Sequence, residues 1–291
     1  MKSIAVIGQG FVGSALSTIF TEKGAAVYTC DKNGKYTHGS IAVSPLVSDL
    51  IKACEALKDF SRIYFICVPT PMEQDGAADI TIVENILEQL ASVPGTRTAV
   101  VKSTVPPGSV EMWTKRYENL QIVFSPEFLT QANSLNDARA QQFIILGGNH
   151  EAVNVVRNVY RTYFPDVHVL KASSSTVAEM VKYFINIQLA VRVVLSCELS
   201  QVCEALTRAG MSVDYNEVVT LASHDARLGS SHMNVPGVDG IAGVRGACFP
   251  KDLSALIEVA KLLNVKPALM KAAWEKNLEV VKPKDRTWDI M

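Results

Sequence analysis

The residues best suited to covalent chemistry come late in the chain, in GACFPKD, Gly246 to Asp252. A cysteine in a glycine-flanked turn, with a proline, a lysine and an aspartate directly behind it, fits a covalent nucleophile. It also fits a small buried side chain ahead of a helix. A nucleophile must be a thiolate, and an ordinary thiol is ionised only to a few per cent at neutral pH. Cys248 therefore needs positive or dipolar help. The N-terminus of the following helix, Lys251 and Lys182 are the candidates. A second constellation opens the chain: Gly8-x-Gly10-x-x-Gly13, in IAVIGQGFVGSAL. The first glycine permits a tight turn, the second lets backbone approach a pyrophosphate, and the third lets helix pack on strand. The helix N-terminus then offers N–H groups to the phosphates. Asp31 ends the second apolar run, 18 residues after Gly13. An acid there bonds the ribose hydroxyls and repels a 2′-phosphate, which favours NAD over NADP, tempered by the adjacent Lys32. A glycine-rich turn without a ligand is the plainer alternative. The strand, helix and acid around it weigh against that.

Two kinds of element must hold these groups. In the first half, SIAVIG, AAVYTC, RIYFICV, TAVVKST, LQIVFS and QFIILGG are compact, apolar and rich in β-branched residues. Amphipathic stretches such as VGSALSTIFTEKG and DITIVENILEQLASV lie between most of them. This order predicts βαβ units and a mainly parallel sheet with helices on both faces. The expected fold class is α/β: a Rossmann-like doubly wound NAD-binding domain over residues 1–172, then a long helix and an all-α central domain over 173–291. From about Ser174 the chain runs to Gly210 without a proline or glycine. That predicts one helix of about 34 residues, opened by serine caps and closed at glycine. At ~1.5 Å per residue it is roughly 50 Å long, a length that bridges domains or supports a dimer interface. The loop DARLGSSHMNVPGVDGIAGVRGACFP follows. At about 25 residues it exceeds ordinary connections and reads as functional or disordered. KDLSALIEVAKLLN and PALMKAAWEKNLEVV predict two more helices.

Four further segments are too polar for plain core: CVPTP (67–71), KSTVPPGS (102–109), SPEFLTQANS (125–134) and AEMVKYFIN (178–186). The first two follow strands, so they belong at the carboxyl edge of the sheet, where ligands bind in such folds. Lys182 and Asn186 are four apart and share one helix face, with Glu179 close by. Such a pair is also common on solvated surface.

Together with GACFPKD, these segments, in this order, resemble the nucleotide-sugar dehydrogenases. These enzymes oxidise UDP-glucose, UDP-N-acetylmannosamine or GDP-mannose to uronic acids. The resemblance runs from about Met1 to Asn277, nearly the whole chain. It implies two successive NAD-dependent oxidations at the sugar C6, through a cysteine thiohemiacetal and thioester, with UDP-glucose the favoured sugar. It implies Cys248 as the nucleophile and Lys182 and Asn186 facing the C6 oxyanion. Thr104 and Asp252 match the pair that holds the water, and Glu127 the acid linked to thioester hydrolysis. The cofactor is expected against Gly8, Gly10, Phe11, Val12, Gly13, Asp31, Lys32, Val68, Pro69, Thr70, Ser103, Thr104 and Lys251. The nucleotide sugar is expected against Glu127, Phe128, Leu129, Lys182, Asn186, Arg227, Gly243 and Cys248.

The sequence also departs from the family pattern. GFGG before the cysteine is replaced by Gly243-Val244-Arg245-Gly246. An arginine that approaches the sugar is expected to block substrate or to bind a different one. Gln131 stands where the family often has a second glutamate. It can hold water or a hydroxyl but cannot act as a base. Arg227 matches an arginine that, in family dimers, reaches the neighbouring subunit's substrate. A lone loop arginine is more often solvated. His232 reads as a loop-packing or substrate-contact residue rather than a metal ligand. Family members typically carry a third, Rossmann-like domain that helps grip the base. This sequence stops at WDIM, which fits a compact form, a fragment, or a version that needs a partner.

Bulk properties narrow the remaining classes. A formal net charge of −1 offers no electrostatic pull towards nucleic acid or a membrane surface. The apolar runs read as too short to span a bilayer, and MKSIAVIGQGFVG as a first strand rather than a leader. Six cysteines without CxxC or zinc spacing predict no metal, and thiols in a reducing, cytoplasmic setting, five of them structural. The expected partners are a nucleotide sugar and a second copy joined through the long helix, with a product that feeds polysaccharide or surface-glycan synthesis. Two other functions stay open. One is a non-catalytic homologue that binds NAD and a nucleotide sugar, motivated by Arg245, Gln131 and the absent third domain. The other is a single-step β-hydroxyacid dehydrogenase, which also pairs a Rossmann domain with a long helix and a Lys/Asn pair but needs no cysteine.

Overall fold

The computed structural model describes residues 3–288. The six β-branched runs form strands, and two short strands join them. In chain order they are β1 (Ser3–Ile7), β2 (Ala26–Cys30), β3 (Ile41–Ala42), β4 (Phe60–Ile66), β5 (Arg97–Val101), β6 (Leu120–Phe124), β7 (Phe143–Gly148) and β8 (His168–Lys171). They make one sheet in the order β3-β2-β1-β4-β5-β6-β7-β8. Every neighbouring pair is parallel except β6 and β7, which are antiparallel. The strand order reverses direction between β1 and β4, which is where open α/β sheets bind ligands at their carboxyl ends.

Both faces of the sheet are covered, as the period-2 pattern of a central strand requires. Ile4 and Val6 point to one core. There they meet Leu16, Ile19 and Phe20 of α1 (Phe11–Glu22) and Val153, Val156 and Tyr160 of a later helix. Ala5 and Ile7 point to the other core, which holds Leu50 and Ile51 of α2 (Val47–Glu55), Ile86 and Leu87 of α3 (Thr81–Ala91), and Trp113 of α4 (Ser109–Arg116). Two more helices complete this part: α5 (Ser134–Arg139) and α6 (His150–Tyr163), the helix that carries Val153. The doubly wound, Rossmann-like fold expected from the strand pattern is present.

The long helix is α7 (Ser175–Arg208), 34 residues without interruption. Ser174 Oγ accepts the Val177 N–H at 3.1 Å, and Gly210 takes φ +88 just past its end. Three helices follow: α8 (Tyr215–Ala222), α9 (Phe249–Leu262) and α10 (Ala268–Val280). α8 was not legible as a helix. Its Asp214 side chain caps it by accepting the Asn216 N–H. The chain divides into two compact units: residues up to Thr70 with Asp79–Lys182, and Pro71–Ala78 with Tyr183 onward.

One expectation needs correction. An 18-residue window of α7 has mean hydropathy 1.4, so this helix is long and apolar enough to cross a membrane by length and composition alone. The sequence reading missed it because polar residues interrupt the run. Those residues, Glu179, Lys182 and Asn186, are themselves buried, although only 39% of that window is buried inside the protein.

Candidate functional site

In the first unit the glycine turn is built for close approach. Gly8 has φ +87, and a Cβ there would meet the Cys67 carbonyl oxygen at 2.6 Å. A Cβ on Gly13 would stand 1.9 Å from the Gly8 carbonyl oxygen. Gly10, by contrast, is exposed and faces open space at the N-cap of α1. Two glycines are thus needed by the fold itself, and the third leaves room for a ligand over the helix N-terminus. Asp31 Oδ2 accepts the Gln9 N–H at 2.8 Å and Oδ1 accepts the Asn33 N–H at 2.9 Å. This ties the acid at the end of β2 to the glycine turn. The cradle fits a dinucleotide, with Phe11 and Val12 half-buried in the first turn of α1 and Lys32 exposed beside Asp31.

The carboxyl ends of β4 and β5 are laced together. Ser103 Oγ donates to the Val68 carbonyl at 2.7 Å, and Thr70 Oγ1 donates to the Thr104 carbonyl at 2.8 Å. Pro69 is exposed between them and Thr104 is half-buried. Burial pushes the neighbouring Cys67 thiol up to about 12, with Lys102 opposing and Glu127 adding to the rise. Cys30 and Cys54 are likewise raised to about 12 by burial, with help from Asp31 and Glu55 respectively. These three thiols are core packing, as expected for buried cysteines.

Beyond β6, Glu127 sits in a buried ionic cluster of the same unit. Its Oε2 lies 3.1 Å from Lys102 Nζ, both side chains being nearly inaccessible. Lys102 Nζ also reaches the Ser125 carbonyl at 3.3 Å. Burial is the largest single influence on Lys102 and lowers its pKa, but the Glu127 carboxylate, with smaller help from Tyr160 and Cys67, holds the ammonium above its ordinary range. Glu127 Oε1 accepts the Phe128 N–H at 2.9 Å. Lys182 Nζ donates to the Glu127 carbonyl and lies 5.4 Å from the Phe128 ring centroid. Leu129 is half-buried next to them, and Gln131 is exposed. Lys102 opens the KSTVPPGS segment singled out in the sequence, but its pairing with Glu127 was not foreseen.

Glu179 does not join Lys182. Its carboxylate turns to α4, accepting the Gly108 N–H at 2.6 Å and the Val110 N–H at 2.9 Å. Burial raises its pKa to about 7 against those two donors, and Glu111 adds to the rise.

The second unit holds the cysteine. Cys248 is half-buried and is the N-cap of α9, with Pro250 in the first turn. Its carbonyl accepts the Asp252 N–H at 2.9 Å, so Asp252 lies one turn on. Asp252 is fully buried. Its Oδ2 accepts Asn186 Nδ2 at 2.6 Å and its Oδ1 lies 2.5 Å from Lys251 Nζ. A carboxylate in a first helical turn is also favoured by the helix dipole. Asn186, Lys251 and Asp252 therefore form one buried, mutually satisfied group beside the turn that presents the thiol. Gly243 takes φ +97, and a Cβ there would press on Val281 at 2.4 Å.

The Arg245 guanidinium is committed within its own unit: Nη1 meets Asp239 Oδ2 at 2.6 Å and Nε donates to the Asp285 carbonyl at 2.7 Å. These anchors lie 6 and 40 residues away, and no local pattern pairs them with Arg245. The long loop is likewise ordered. Arg192 donates to the Leu228 and Ser231 carbonyls, Tyr215 Oη donates to the Met233 carbonyl, and the His232 ring packs on Phe249. Arg227 is largely exposed and pairs with Asp225 of the same loop at 2.5 Å.

Residues 2–164 match the UDP-glucose/GDP-mannose dehydrogenase family NAD binding domain, and residues 176–279 match the central domain of the same family. The chain is 30% identical over 307 residues to UDP-glucose 6-dehydrogenase TuaD of Bacillus subtilis, covering 95% of this chain and 63% of that one. It thus spans a little under two thirds of that relative's length. Among solved structures, a UDP-glucose dehydrogenase from Pyrobaculum islandicum aligns with a TM-score of 0.75 at 27% identity, over 95% of this chain and 68% of that one. A 3-hydroxyisobutyrate dehydrogenase from Mycobacterium tuberculosis aligns with a TM-score of 0.73 over 100% of this chain and 97% of its own. At 16% identity that is a likeness of fold alone.

Proposed function

Because the chain belongs to the UDP-glucose/GDP-mannose dehydrogenase family, we propose that it oxidises a nucleotide sugar at C6 to the uronic acid, with UDP-glucose as the first candidate. The observation that carries this reading is the pairing of Cys248 at the head of α9 with the buried Asn186–Asp252–Lys251 group one turn on. A single-step alcohol dehydrogenase has no use for that thiol. NAD, when bound in the cradle of Gly8, Gly10, Gly13 and Asp31, accepts a hydride at each of two oxidations.

This chain's residues supply the rest. After the first oxidation the Cys248 thiolate adds to the C6 aldehyde, forming a C–S bond and a thiohemiacetal. Its oxyanion needs donors, and Asn186 and Lys182 are the ones proposed. Losing one such donor typically costs on the order of 10²–10³ in rate. The second oxidation leaves a thioester. Water attacks its carbonyl, the C–S bond breaks, and carboxylate and thiolate are released. Thr104 and Asp252 are proposed to hold that water and Glu127 to take its proton. We further propose Thr70, Ser103 and Lys251 as cofactor contacts, and Phe128, Leu129, Arg227 and Gly243 as sugar-nucleotide contacts. A homodimer through α7, a cytoplasmic setting and a role in glycan synthesis belong to the same reading.

The test is stoichiometric. Purified protein with NAD is offered UDP-glucose, UDP-N-acetylmannosamine, UDP-N-acetylglucosamine and GDP-mannose in turn. Two NADH per sugar from one of them, and none from Cys248→Ala, is the expected result. Two NADH from Cys248→Ala would falsify the covalent route. A second reading is kept because of the 3-hydroxyisobutyrate dehydrogenase-like fold: a β-hydroxyacid oxidised once, with one NADH and full activity in Cys248→Ala. NAD binding without turnover of any sugar would favour a binding subunit.

A further inference from the structure

After α10 the chain returns through a 3-10 turn, Pro283–Asp285, and is held tightly. Val281 is fully buried and Trp288 nearly so, with the Trp288 ring centroid 5.7 Å from that of Trp274 in α10. Three sets of contacts join this region to the loop that carries the cysteine. Asn277, also fully buried, accepts the Val244 N–H at 2.6 Å and donates to the Val244 carbonyl at 3.0 Å. Arg245 donates to the Asp285 carbonyl and pairs with Asp239. The Gly246 N–H donates to Thr287 Oγ1 at 3.0 Å. Three consecutive residues, ending two before Cys248, are thus each fastened. The planar, five-donor guanidinium spans both anchors at once, which a single ammonium does less well. Its side chain is 16% exposed; the bond to the Asp285 carbonyl is partly shielded from water, while Asp239 is half-exposed.

We propose that residues 281–288 form a strap that fixes the cysteine loop, and that Arg245 is the positioning residue that locks it. The proposal rests on Cys248 being the nucleophile of the function proposed above. As the N-cap of α9, Cys248 stands at the helix's positive end, where N–H groups and the dipole favour a thiolate. That advantage lasts only while the backbone leading into the helix is held. The arginine found where the family has glycine is therefore a fastening to this chain's own strap, and no obstacle to the sugar.

The experiment reads the thiol itself. The full chain is alkylated with iodoacetamide and each cysteine is followed by peptide mass spectrometry, with half-buried Cys203 of α7 as internal reference. Arg245→Ala and Thr287→Val each slow alkylation of Cys248 roughly tenfold, the scale of one lost hydrogen bond to a charged or shielded group. Cys203 keeps its rate. Arg245→Lys retains the charge opposite Asp239 but loses the fork, and it stays slow. In turnover, kcat falls while KM for NAD holds. Thr287→Val keeps the test intact should Arg245→Ala not fold. Wild-type rates at Cys248 in both variants overturn the proposal. So does an equal acceleration of Cys248 and Cys203, which means general loosening. If no nucleotide sugar is turned over by the wild type and the variants still slow Cys248 alone, the functional reading fails and the strap stands.

Discussion

A Cβ on Gly13 would collide with the Gly8 carbonyl oxygen at 1.9 Å, while one on Gly10 would meet nothing within 4 Å. The two glycines of one motif therefore fail differently. Gly13→Ala must push backbone off backbone, and it lowers both stability and NAD affinity. Gly10→Ala leaves the fold alone, with stability within about 0.5 kcal/mol of wild type, because its φ of −69 suits alanine. Its methyl group fills the space that a pyrophosphate uses, so NAD binds roughly tenfold or more weakly. Thermal melting and an NAD fluorescence titration separate the two effects. Equal NAD affinity in Gly10→Ala and wild type contradicts the cradle assignment. Lys102 is the other residue whose loss is decisive. Replacing it by methionine leaves the Glu127 carboxylate buried and unpaired, at a cost of about 3–5 kcal/mol. Adding Glu127→Gln removes the stranded charge, so the double variant is more stable than Lys102→Met alone in urea unfolding. If it is less stable, the 3.1 Å pair is not what holds Lys102. At this scale the glycine turn and the placing of Cys248 at the head of a helix were legible because each motif is local. Lys102–Glu127 and Arg245–Asp285 were not, because their partners lie 25 and 40 residues away and only the fold brings them together.

Among the elements, α4 and α7 are joined by Thr176 Oγ1, which donates to Glu111 at 2.8 Å, and by the Glu179 carboxylate, which accepts two N–H groups at the start of α4. Helix N-termini favour negative charge, yet burial wins and raises this acid from 4.5 to about 7. The sign follows from linkage: the folded state binds the proton more tightly than the unfolded chain. Stability from this group therefore falls as pH rises from about 4.5 to about 7, by at most 1.36 kcal/mol per pH unit and about 3 kcal/mol in all. Glu179→Gln removes that slope. Urea unfolding at several pH values reads the prediction directly: the variant gains on wild type as pH rises from 5 to 8. A constant gap between them means the carboxylate is ionised throughout and the two donors prevail. The strands and the long helix were readable in advance, since continuous β-branched runs and 34 residues without a proline or glycine leave few alternatives. β3 and β8, two and four residues long, are below what periodicity detects. The antiparallel meeting of β6 and β7 is a matter of how α5 and its flanking turns redirect the chain, which no local pattern encodes.

For the whole molecule, the proposed self-association through α7 depends on a face the chain leaves uncovered. Leu195, Leu199 and Val202 are 52%, 51% and 51% exposed, and their spacing of four and three puts them on one stripe. Scattered exposed leucines are ordinary, but a stripe along a helix marks a contact surface. Burying such a side chain is worth roughly 1.5–3 kcal/mol, so two charges introduced there outweigh a good part of an interface. Sedimentation at micromolar concentration is expected to give twice the 31.6 kDa chain mass for wild type, and the single-chain mass for Leu195→Glu/Leu199→Glu. Because both side chains face solvent within one chain, the variant keeps its circular dichroism spectrum and NAD binding. A wild-type protein that sediments as one chain removes the dimer. A dimer that survives both charges moves the interface off this stripe and leaves the glycine turn, the Glu127 cluster and the strapped cysteine loop to be read as features of a single chain.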